Sequence, residues 1–421
     1  MNTKRLSSEH RGAEQPTYPP QLKEGAGVAP AGRPIDRRRF LGVVGLGAGS
    51  LALAGAAGLT WRAVDGGVFA TGTGPAYDAW GESGPKGQDA LGLVRAAVLA
   101  ANAHNAQPWH FLVATDRIDL FADTSRNLGT MDPLEREMYI SLGCVIENLV
   151  LAGPPNGKAP TVSLLPDPAD STHIARVDLV PAREPVSALF AAIPMRHTNR
   201  AAYDTRRPLP QRQLDVLSGL VDASDTELVW FTGAHDKRGF GELTIRATEA
   251  IISDPRQAAD DFAWYRTNWQ EIQAKKDGIT IDPSGQTPLI RTLAKIMPVS
   301  RRQNNDGWLS GTRGTQIPTA AAFGALVVRD PLDPVQRLGV GRIWQRMHLS
   351  ATASGLGMQP LCQVPERIDR ERSAGLPADF TTAMAALLPA RWHPIMTFRT
   401  GYPTTEAPRS PRRPAADVVL T

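Results

Sequence analysis

The chain has 421 residues, enough for two or three domains or for one large unit of two lobes. Hydrophobic residues make up 42% of it and charged residues 21%, the composition of a globular protein with a sizeable core. Residues 1–39 carry eight basic and four acidic side chains, and the remainder carries 38 of each, so the net charge of +4 belongs to the N-terminus. This neutral body excludes the broad basic surface of a nucleic-acid-binding protein.

The cysteines and histidines show no metal-binding pattern. Cys144 and Cys362 both lie in apolar stretches without a CxxC pair, and the eight histidines include no HExxH or HxH. We therefore predict no bound metal and two buried free thiols. A disulfide between the two cysteines is the alternative if the chain is exported.

The N-terminal 60 residues have the pattern of a targeting segment. Residues 1–35 are polar, rich in proline and glycine and without periodicity, which predicts disorder. Residues 36–60 resemble a twin-arginine export signal: RRRFL begins at Arg37, and an apolar run rich in glycine and alanine ends at Leu59. Asp36, where serine or threonine is usual, departs from the motif, as does the glycine that follows RRRFL, where lysine is common.

The export signal implies the twin-arginine translocation machinery as a partner and an extracytoplasmic protein. The apolar run, at about 20 residues, is also just long enough for an uncleaved membrane anchor. Without the signal, the protein is expected in the cytoplasm. A dinucleotide-binding glycine loop is excluded here because Ser50 stands at the third glycine position and no strand precedes it. Since the twin-arginine route carries folded proteins, often with a cofactor, the signal favours a bound cofactor.

Helices and strands alternate in the rest of the chain. Residues 61–89 predict a linker, and a helix pattern runs from Ala90 to His104. Asp132 and Pro133 predict the capped start of another helix, and further helices are expected over 209–221, 240–275 and from Asp333 to Gly355 or Gly357. Strands are expected at 109–114, 117–122, 161–165, 174–180, 226–233, 321–330 and 394–403.

Two larger features organise these elements. Residues 276–318 lack clear periodicity, and such a long irregular stretch is typical of a lid or binding loop, here within an insertion over 255–318. A weak repeat relates Gly143 to Gly341, each on a helix that follows an Asp-Pro pair. The repeat suggests two similar halves, residues 90–188 and 189–421.

Four motifs resemble those of flavin-dependent nitroreductases. NAQPW from Asn105 resembles their Asn-x-Gln-Pro-Trp motif, and RHTNR from Arg196 resembles Arg-Arg-Ser-x-Arg. LSATASGLGMQP, which ends at Pro360, resembles their helix ending in Gly-Leu-Gly, and GYPTTEAPRSPRR, which ends at Arg413, resembles their C-terminal segment. The resemblance covers about residues 90–415.

The order of the first two motifs is the reverse of that in ordinary nitroreductases, which matches the actinobacterial, dormancy-associated Acg-type proteins. The resemblance implies an α+β nitroreductase-like fold, in which two tandem halves with mostly antiparallel sheets mimic the nitroreductase dimer. The molecule would be such a monomer or a homodimer of it. The first half lacks the arginine motif and the second lacks Asn-x-Gln-Pro-Trp, which implies one FMN per chain rather than two.

The predicted site follows from the chemistry of FMN. Its phosphate is a dianion, and guanidinium groups bind phosphate bidentately, whereas short amides suit the edge of the flavin ring. The alternatives are a solvated face for an arginine-rich turn, a helix C-cap for Asn105 and no acid–base role for His104 and His197. By resemblance, the backbone at 359–361 would approach flavin N5. The predicted cofactor-binding residues are Asn105, Gln107, Arg196, His197, Thr198, Arg200, Gln359, Pro360, Leu361, Arg412 and Arg413.

Three functions stay open on the sequence. The first is an FMN oxidoreductase that moves hydride from NAD(P)H through flavin N5 to a nitroaromatic or quinone-like small-molecule acceptor, with no catalytic side chain. The second is a protein that sequesters or stores FMN beneath the insertion over 255–318, which covers the flavin in the Acg-type family. The third is a scaffold that binds no flavin and serves as an interaction protein of the cell envelope.

Overall fold

The computed structural model describes residues 60–82, 89–183 and 185–420. The predicted disordered region 1–35 and all but the last residue of the predicted export signal lie outside these residues. Within them, no helix combines the length and the hydropathy that crossing a bilayer requires.

Two four-stranded sheets form the framework, one in each predicted half. The first contains β1 (Trp109–Val113), β2 (Arg117–Ala122), β3 (Lys158–Leu164) and β4 (His173–Pro181) in the order β1-β2-β4-β3. The second contains β5 (Thr226–Phe231), β6 (Ala322–Val328), β7 (Gly357–Pro360) and β8 (His393–Gly401) in the order β5-β6-β8-β7. All pairings are antiparallel and the two orders correspond strand for strand. The α+β class and the two tandem halves are therefore confirmed.

Helices pack around these sheets, after a helical stretch over residues 60–65. They are α1 (Ala79–Glu82), α2 (Ala90–Ala97), α3 (Arg136–Ala152), α4 (Ala188–Ala192), α5 (Gln211–Ser218), α6 (Ala234–Ser253), α7 (Pro255–Ala263), α8 (Trp269–Lys275), α9 (Pro288–Ile296), α10 (Arg301–Gly311), α11 (Pro334–Ala353), α12 (Gln363–Ala374) and α13 (Asp379–Ala385). Three of them, α7, α9 and α11, begin with proline after an Asp or Thr whose side chain accepts a first-turn N–H.

The halves meet where α3 crosses α11, at the two glycines of the sequence repeat. A Cβ atom on Gly143 would collide with the backbone carbonyl of Leu338, and one on Gly341 would collide with that of Ile140. Each glycine thus faces the backbone carbonyl of the residue three positions before the other glycine. A hydrogen bond also joins the two helices near this crossing: the side-chain amide of Gln345 donates to the side-chain oxygen of Asn148 over 2.8 Å. The repeat is therefore the point of closest approach in a pseudo-twofold arrangement.

The C-terminal tail crosses from the second half to the first. The backbone N–H of Phe111 in β1 donates to the carbonyl of Val418, and that of Leu420 donates back to Phe111. The tail thereby extends alongside the edge strand of the first sheet, which joins the two halves a second time.

The elements that differ from the sequence expectations include the predicted linker and two predicted helices. The segment 61–89, predicted as a linker, is packed where it is described: Trp80 is buried and its indole N–H donates to the Ser410 carbonyl over 2.7 Å. The helix predicted from Asp132 begins at Arg136, yet the Asp132 carboxylate still accepts the N–H groups of Glu137 and Met138. The helix predicted from Ala90 to His104 ends at Ala97 and is therefore shorter than expected.

The prediction that residues 276–318 are irregular is wrong. This stretch contains α9, α10 and a π-helical turn over Thr312–Gln316. Helix α10 begins with a capping box: the Ser300 hydroxyl accepts the backbone N–H of Gln303, and the Gln303 side chain accepts the backbone N–H of Ser300. We call residues 255–318, which include α7 to α10, the cover segment.

Candidate functional site

A cavity of about 590 Å³ lies between the two halves. The first half contributes residues 101–104 and the start of α3, and the second contributes Thr198, Arg200 and the end of β7. The cover segment supplies much of the remaining wall, from Asp261 to Gln316. The volume lies within the range of small-molecule and cofactor sites.

Arg200 is the predicted site residue with the most distinctive position. It lines the cavity, and burial lowers the pKa of its guanidinium group, although it stays a cation at neutral pH. The other two arginines of the wall are neutralised: Arg136 donates to Asp369 over 2.6 Å and Arg266 donates to Asp277 over 2.8 Å. Among the described residues, Arg200 has no such carboxylate. It therefore offers positive charge to an anion in the cavity.

Thr198 lines the same cavity two residues earlier, whereas the first part of the RHTNR motif turns away from it. Arg196 is buried and donates to the Leu99 carbonyl over 2.8 Å; burial lowers its pKa to about 10. His197 lies 4.6 Å from the ring of Trp80, measured between centroids. Burial and the neighbouring Arg196 lower the pKa of His197 to about 3, so its ring is neutral.

Four predicted site residues lie together beside the cavity instead of lining it. Arg412 donates to the Oδ1 atom of Asn105, whose amide donates in turn to the carbonyls of Gly278 and Pro411. Gln107 accepts the backbone N–H of Arg413 over 2.8 Å and donates to the Lys276 carbonyl over 2.9 Å. These residues therefore connect the NAQPW turn to the C-terminal tail and to the cover segment.

The geometry of the NAQPW turn explains why its amides point there. His104, Asn105 and Gln107 all adopt left-handed backbone conformations, with φ of 49°, 56° and 56°. Asn tolerates this region better than most residues, and three such residues within four positions cost free energy that neighbouring contacts must offset. The hydrogen bonds from the tail and from the cover segment supply that offset.

The last residues of β7 line the cavity, and the residue that follows them is buried in the core of the second half. Gln359 and Pro360 line the cavity, and the Gln359 amide oxygen accepts the Arg399 Nε–H over 2.7 Å. Leu361 is buried among the side chains of the second half, and its backbone N–H donates to the Thr397 carbonyl over 2.8 Å. That N–H is therefore already used within the protein.

An acidic cluster at the cavity escaped the sequence reasoning. His104 lies 2.8 Å from Asp261 of the cover segment, and Glu137 and Glu366 line the same cavity. Burial alone would lower the pKa of His104, but the hydrogen bond and charge of Asp261 outweigh it and raise that pKa above 6.5. Burial and the adjacent Glu137 raise the pKa of Glu366 well above its ordinary value. In the sequence Glu137 follows Glu135 and Arg136 at the start of α3, so its local pattern does not distinguish it from an ordinary charged helix start.

Both cysteines also line the cavity and are free thiols, as predicted. Burial raises the pKa of each thiol, so both are protonated at neutral pH. Across the described ranges, no three His, Cys, Asp or Glu side chains gather in a way that would hold a metal ion.

The chain is similar in sequence to several proteins named as NAD(P)H nitroreductases, although no family model matches it. A Mycobacterium tuberculosis (strain H37Rv) protein so named is 26% identical over 349 residues, covering 80% of this chain and 92% of the relative. The M. tuberculosis nitroreductase acg is 33% identical over 89 residues, covering 21% and 27% of the two chains. PigM of a Serratia species, also named as an NAD(P)H nitroreductase, is 27% identical over 199 residues, covering 45% of this chain and 54% of its own.

Solved structures with partial similarity include a nitroreductase with bound FMN from Bacteroides fragilis. It is 12% identical, covers 56% of this chain and 98% of its own, and has a TM-score of 0.33. NADPH:FMN oxidoreductase from Vibrio harveyi is 12% identical, covers 56% of this chain and 77% of its own, and has a TM-score of 0.31. The nitroreductase resemblance of the motifs is thus supported by sequence relatives over most of the chain.

Proposed function

We propose that this chain is an FMN-binding oxidoreductase of the nitroreductase type, which uses NAD(P)H to reduce a nitroaromatic or quinone-like acceptor. The observation that carries the proposal is the cavity between the halves with Arg200 and Thr198 in its wall. The sequence relatives named as NAD(P)H nitroreductases support the reaction class.

The residues of the cavity fit an FMN molecule. A phosphate would satisfy the Arg200 guanidinium group, which has no carboxylate partner among the described residues, and the Thr198 hydroxyl would donate to it. The amide oxygen of Gln363, which lines the cavity, is buried without a hydrogen-bond partner in the part of the chain that the structure describes. It would accept an N–H group of the flavin ring.

Bound FMN would supply hydride transfer between a nicotinamide and the acceptor. The protein's own residues would hold the phosphate at Arg200, exclude water with the cover segment and keep protons near the cavity on His104 and the carboxyl group of Glu366. No side-chain nucleophile is needed for this reaction class.

A second candidate function is the sequestration or storage of FMN with little turnover. The cover segment favours it, because residues from Asp261 to Gln316 close one side of the cavity. If the cover segment stays closed, a nicotinamide cannot reach a flavin ring beneath it. The rate of flavin reduction separates the two functions.

The test is the absorbance spectrum of the purified full-length protein before and after anaerobic NADPH, with the flavin quantified after denaturation. The oxidoreductase function predicts one FMN per chain and bleaching within the time of a turnover. Storage predicts one FMN with slow bleaching. A colourless protein that takes up no added FMN would contradict both and favour the flavin-free envelope scaffold.

Export by the twin-arginine route, with the protein extracytoplasmic or anchored to the membrane, is part of the proposal. The RRRFL motif and the apolar run to Leu59 support it. The twin-arginine translocation machinery would then be a partner of the folded, cofactor-loaded chain.

A further inference from the structure

An apolar surface borders the cavity on the side of α9. Six large hydrophobic side chains of the helical stretch 60–65 and of the α9 region are between 43% and 67% exposed. We call them the mouth surface: Trp61, Val64, Leu289, Ile290, Leu293 and Met297. Soluble proteins expose single apolar residues routinely, but adjacent ones at this density mark an interaction site.

The two segments of the mouth surface are held together. Gly66, just after the helical stretch, lies so close to the Lys295 carbonyl of α9 that a Cβ atom would collide with it. The Lys295 ammonium group donates to the Thr71 hydroxyl over 2.8 Å and pairs with Asp282 over 2.8 Å. The segments therefore present one continuous surface.

The mouth surface leads directly into the cavity. Ile290, Leu293 and Met297 are exposed on the outside and also line the cavity. Lys295 of α9 donates to the Thr71 hydroxyl, whereas Leu289, Ile290 and Leu293 of the same helix are between 43% and 64% exposed. A ligand that enters beside α9 therefore crosses an apolar rim.

The charges beside this surface suit an anionic membrane. Arg62 of the helical stretch and Arg301 and Arg302 at the start of α10 are exposed. Two acids lie nearby: Asp65 accepts the Gln270 amide over 2.6 Å, and Asp306 lies 3.9 Å from Arg302, so the three arginines exceed the two carboxylates by one charge. Arginine side chains around an apolar surface with an exposed Trp are the pattern of an interfacial membrane contact.

The place of Trp61 and Val64 in the sequence, directly after the apolar run, gives a second argument for a membrane contact. The apolar run that ends at Leu59 leads straight into the helical stretch that carries Trp61 and Val64. If that run is held in a bilayer, the connection to residue 60 is too short to place the mouth surface far from the lipid.

We propose that the mouth surface docks on an anionic lipid bilayer, so that the cavity opens toward the membrane and takes a lipid-dissolved quinone as acceptor. The quinone assignment rests on the proposed function, whereas the docking does not. The reaction balances as NAD(P)H, one proton and a quinone giving NAD(P)⁺ and the quinol: two electrons and two protons reach the quinone oxygens.

The docking is tested on the full-length protein with an environment-sensitive fluorophore at Leu289→Cys. The matched control is the same label at Leu332→Cys, another exposed leucine, which lies before α11. Both native cysteines are protonated thiols lining the cavity, and labelling the unsubstituted protein measures their background. Vesicles of phosphatidylglycerol and phosphatidylcholine should shift the emission at position 289 to shorter wavelength and leave position 332 unchanged.

Several results would overturn the docking. An equal emission shift at positions 289 and 332 would do so, as would an unchanged emission at 289 in protein that floats with the vesicles. An emission shift that depends on protein concentration in the absence of lipid would instead indicate contact with a second copy of the chain. An already blue-shifted probe at 289 that ignores vesicles would assign the surface to the chain's own apolar run. Vesicles of phosphatidylcholine alone should give a weaker shift, because the arginines then have no anionic partner.

The quinone assignment is tested by Trp61→Glu and Leu289→Glu, neither of which lines the cavity. Each should reduce turnover of a long-chain quinone embedded in vesicles at least tenfold and leave turnover of a short-chain, water-soluble quinone unchanged. Equal loss with both quinones would overturn the assignment. An absence of turnover with either quinone in the unsubstituted protein would overturn the quinone assignment alone. Bleaching of the bound flavin by NADPH would then still decide the proposed function, and the fluorophore would still decide the docking.

Discussion

Arg200 differs from the other arginines of the cavity because it lacks a carboxylate among the described residues. Arg200→Ala should weaken FMN binding by about 1.5–3 kcal/mol, the range for hydrogen bonds to charged groups. Arg206→Ala, an exposed arginine of the same loop, is the control. Equilibrium titration with FMN measures the difference, and equal affinity of the two variants would show that the phosphate lies elsewhere.

The Arg196 side chain is expected to act on stability instead. It is buried and donates to Leu99, so Arg196→Ala should lower the free energy of unfolding even without FMN.

The pair of His104 and Asp261 gives the stability a defined pH dependence. Because Asp261 raises the folded-state pKa of His104 above 6.5, the pair's contribution is complete below pH 6.5 and is lost as pH rises through the raised value. Asp261→Asn should therefore destabilise the protein most in acid and progressively less in alkali. Urea unfolding of the unsubstituted protein and of Asp261→Asn, at pH values below and above 6.5, measures the difference in their free energies of unfolding. A difference that grows as the pH rises would contradict the assignment.

Individual site residues were predictable only where the local sequence carries the information. Arg200 and Thr198 belong to a short motif and do line the cavity. Asn105 and Gln107 belong to another, but their amides bind a tail that lies some 300 residues away, at Pro411 and Arg413. No local pattern reveals such a partner.

At the scale of elements, the crossing of α3 and α11 depends on two glycines. Gly143→Ala or Gly341→Ala would force a methyl group against a backbone carbonyl, which should cost at least about 1–3 kcal/mol of stability. Gly339→Ala, on the same helix α11, meets no atom within 4 Å and should stabilise by about 0.5–1 kcal/mol. Chemical denaturation distinguishes them, and similar values for all three would refute the close approach.

The cover segment is attached at its base by Asp277, which accepts from Arg126 and from Arg266, each over 2.8 Å. Asp277→Asn weakens both ion pairs and should speed both FMN release and bleaching by NADPH severalfold, because a buried pair that loses its charge is destabilised. The exposed Asp306→Asn serves as the control. If the unsubstituted protein already bleaches as fast as Asp277→Asn, the cover segment does not limit access.

Seven of the eight described strands were predictable because their residues alternate or are uniformly apolar between turns, as in the β1–β2 hairpin, whereas the four-residue β7 (GMQP) was not predicted. Helices α7 and α8 fall within the helical region expected over 240–275, but α9 and α10 were not predicted. Leu289, Ile290, Leu293 and Met297 recur at helical spacing in and directly after α9, but Gly, Pro and Ser residues on both sides give the stretch an irregular composition. The capping box of Ser300 and Gln303 was present in the sequence, and weighting it would have predicted α10.

At the scale of the molecule, the proposed export depends on two arginines of the N-terminal motif. Replacing Arg37 and Arg38 with lysine should leave the protein in the cytoplasm, because the twin-arginine route requires guanidinium groups. Fractionation of cells that express each form measures this. Unchanged export would indicate a general secretory signal or a simple anchor.

The two halves that cross at Gly143 and Gly341 are joined by a peptide chain. Two separate subunits would meet only above their dissociation constant, whereas here each half experiences a fixed effective concentration of the other. Dilution therefore does not open the cavity. Moreover, each half acquires mutations on its own, while two identical subunits must carry every change twice. One half can thus carry His104 and the other Arg200, whereas every subunit of a symmetric dimer would have to carry both residues.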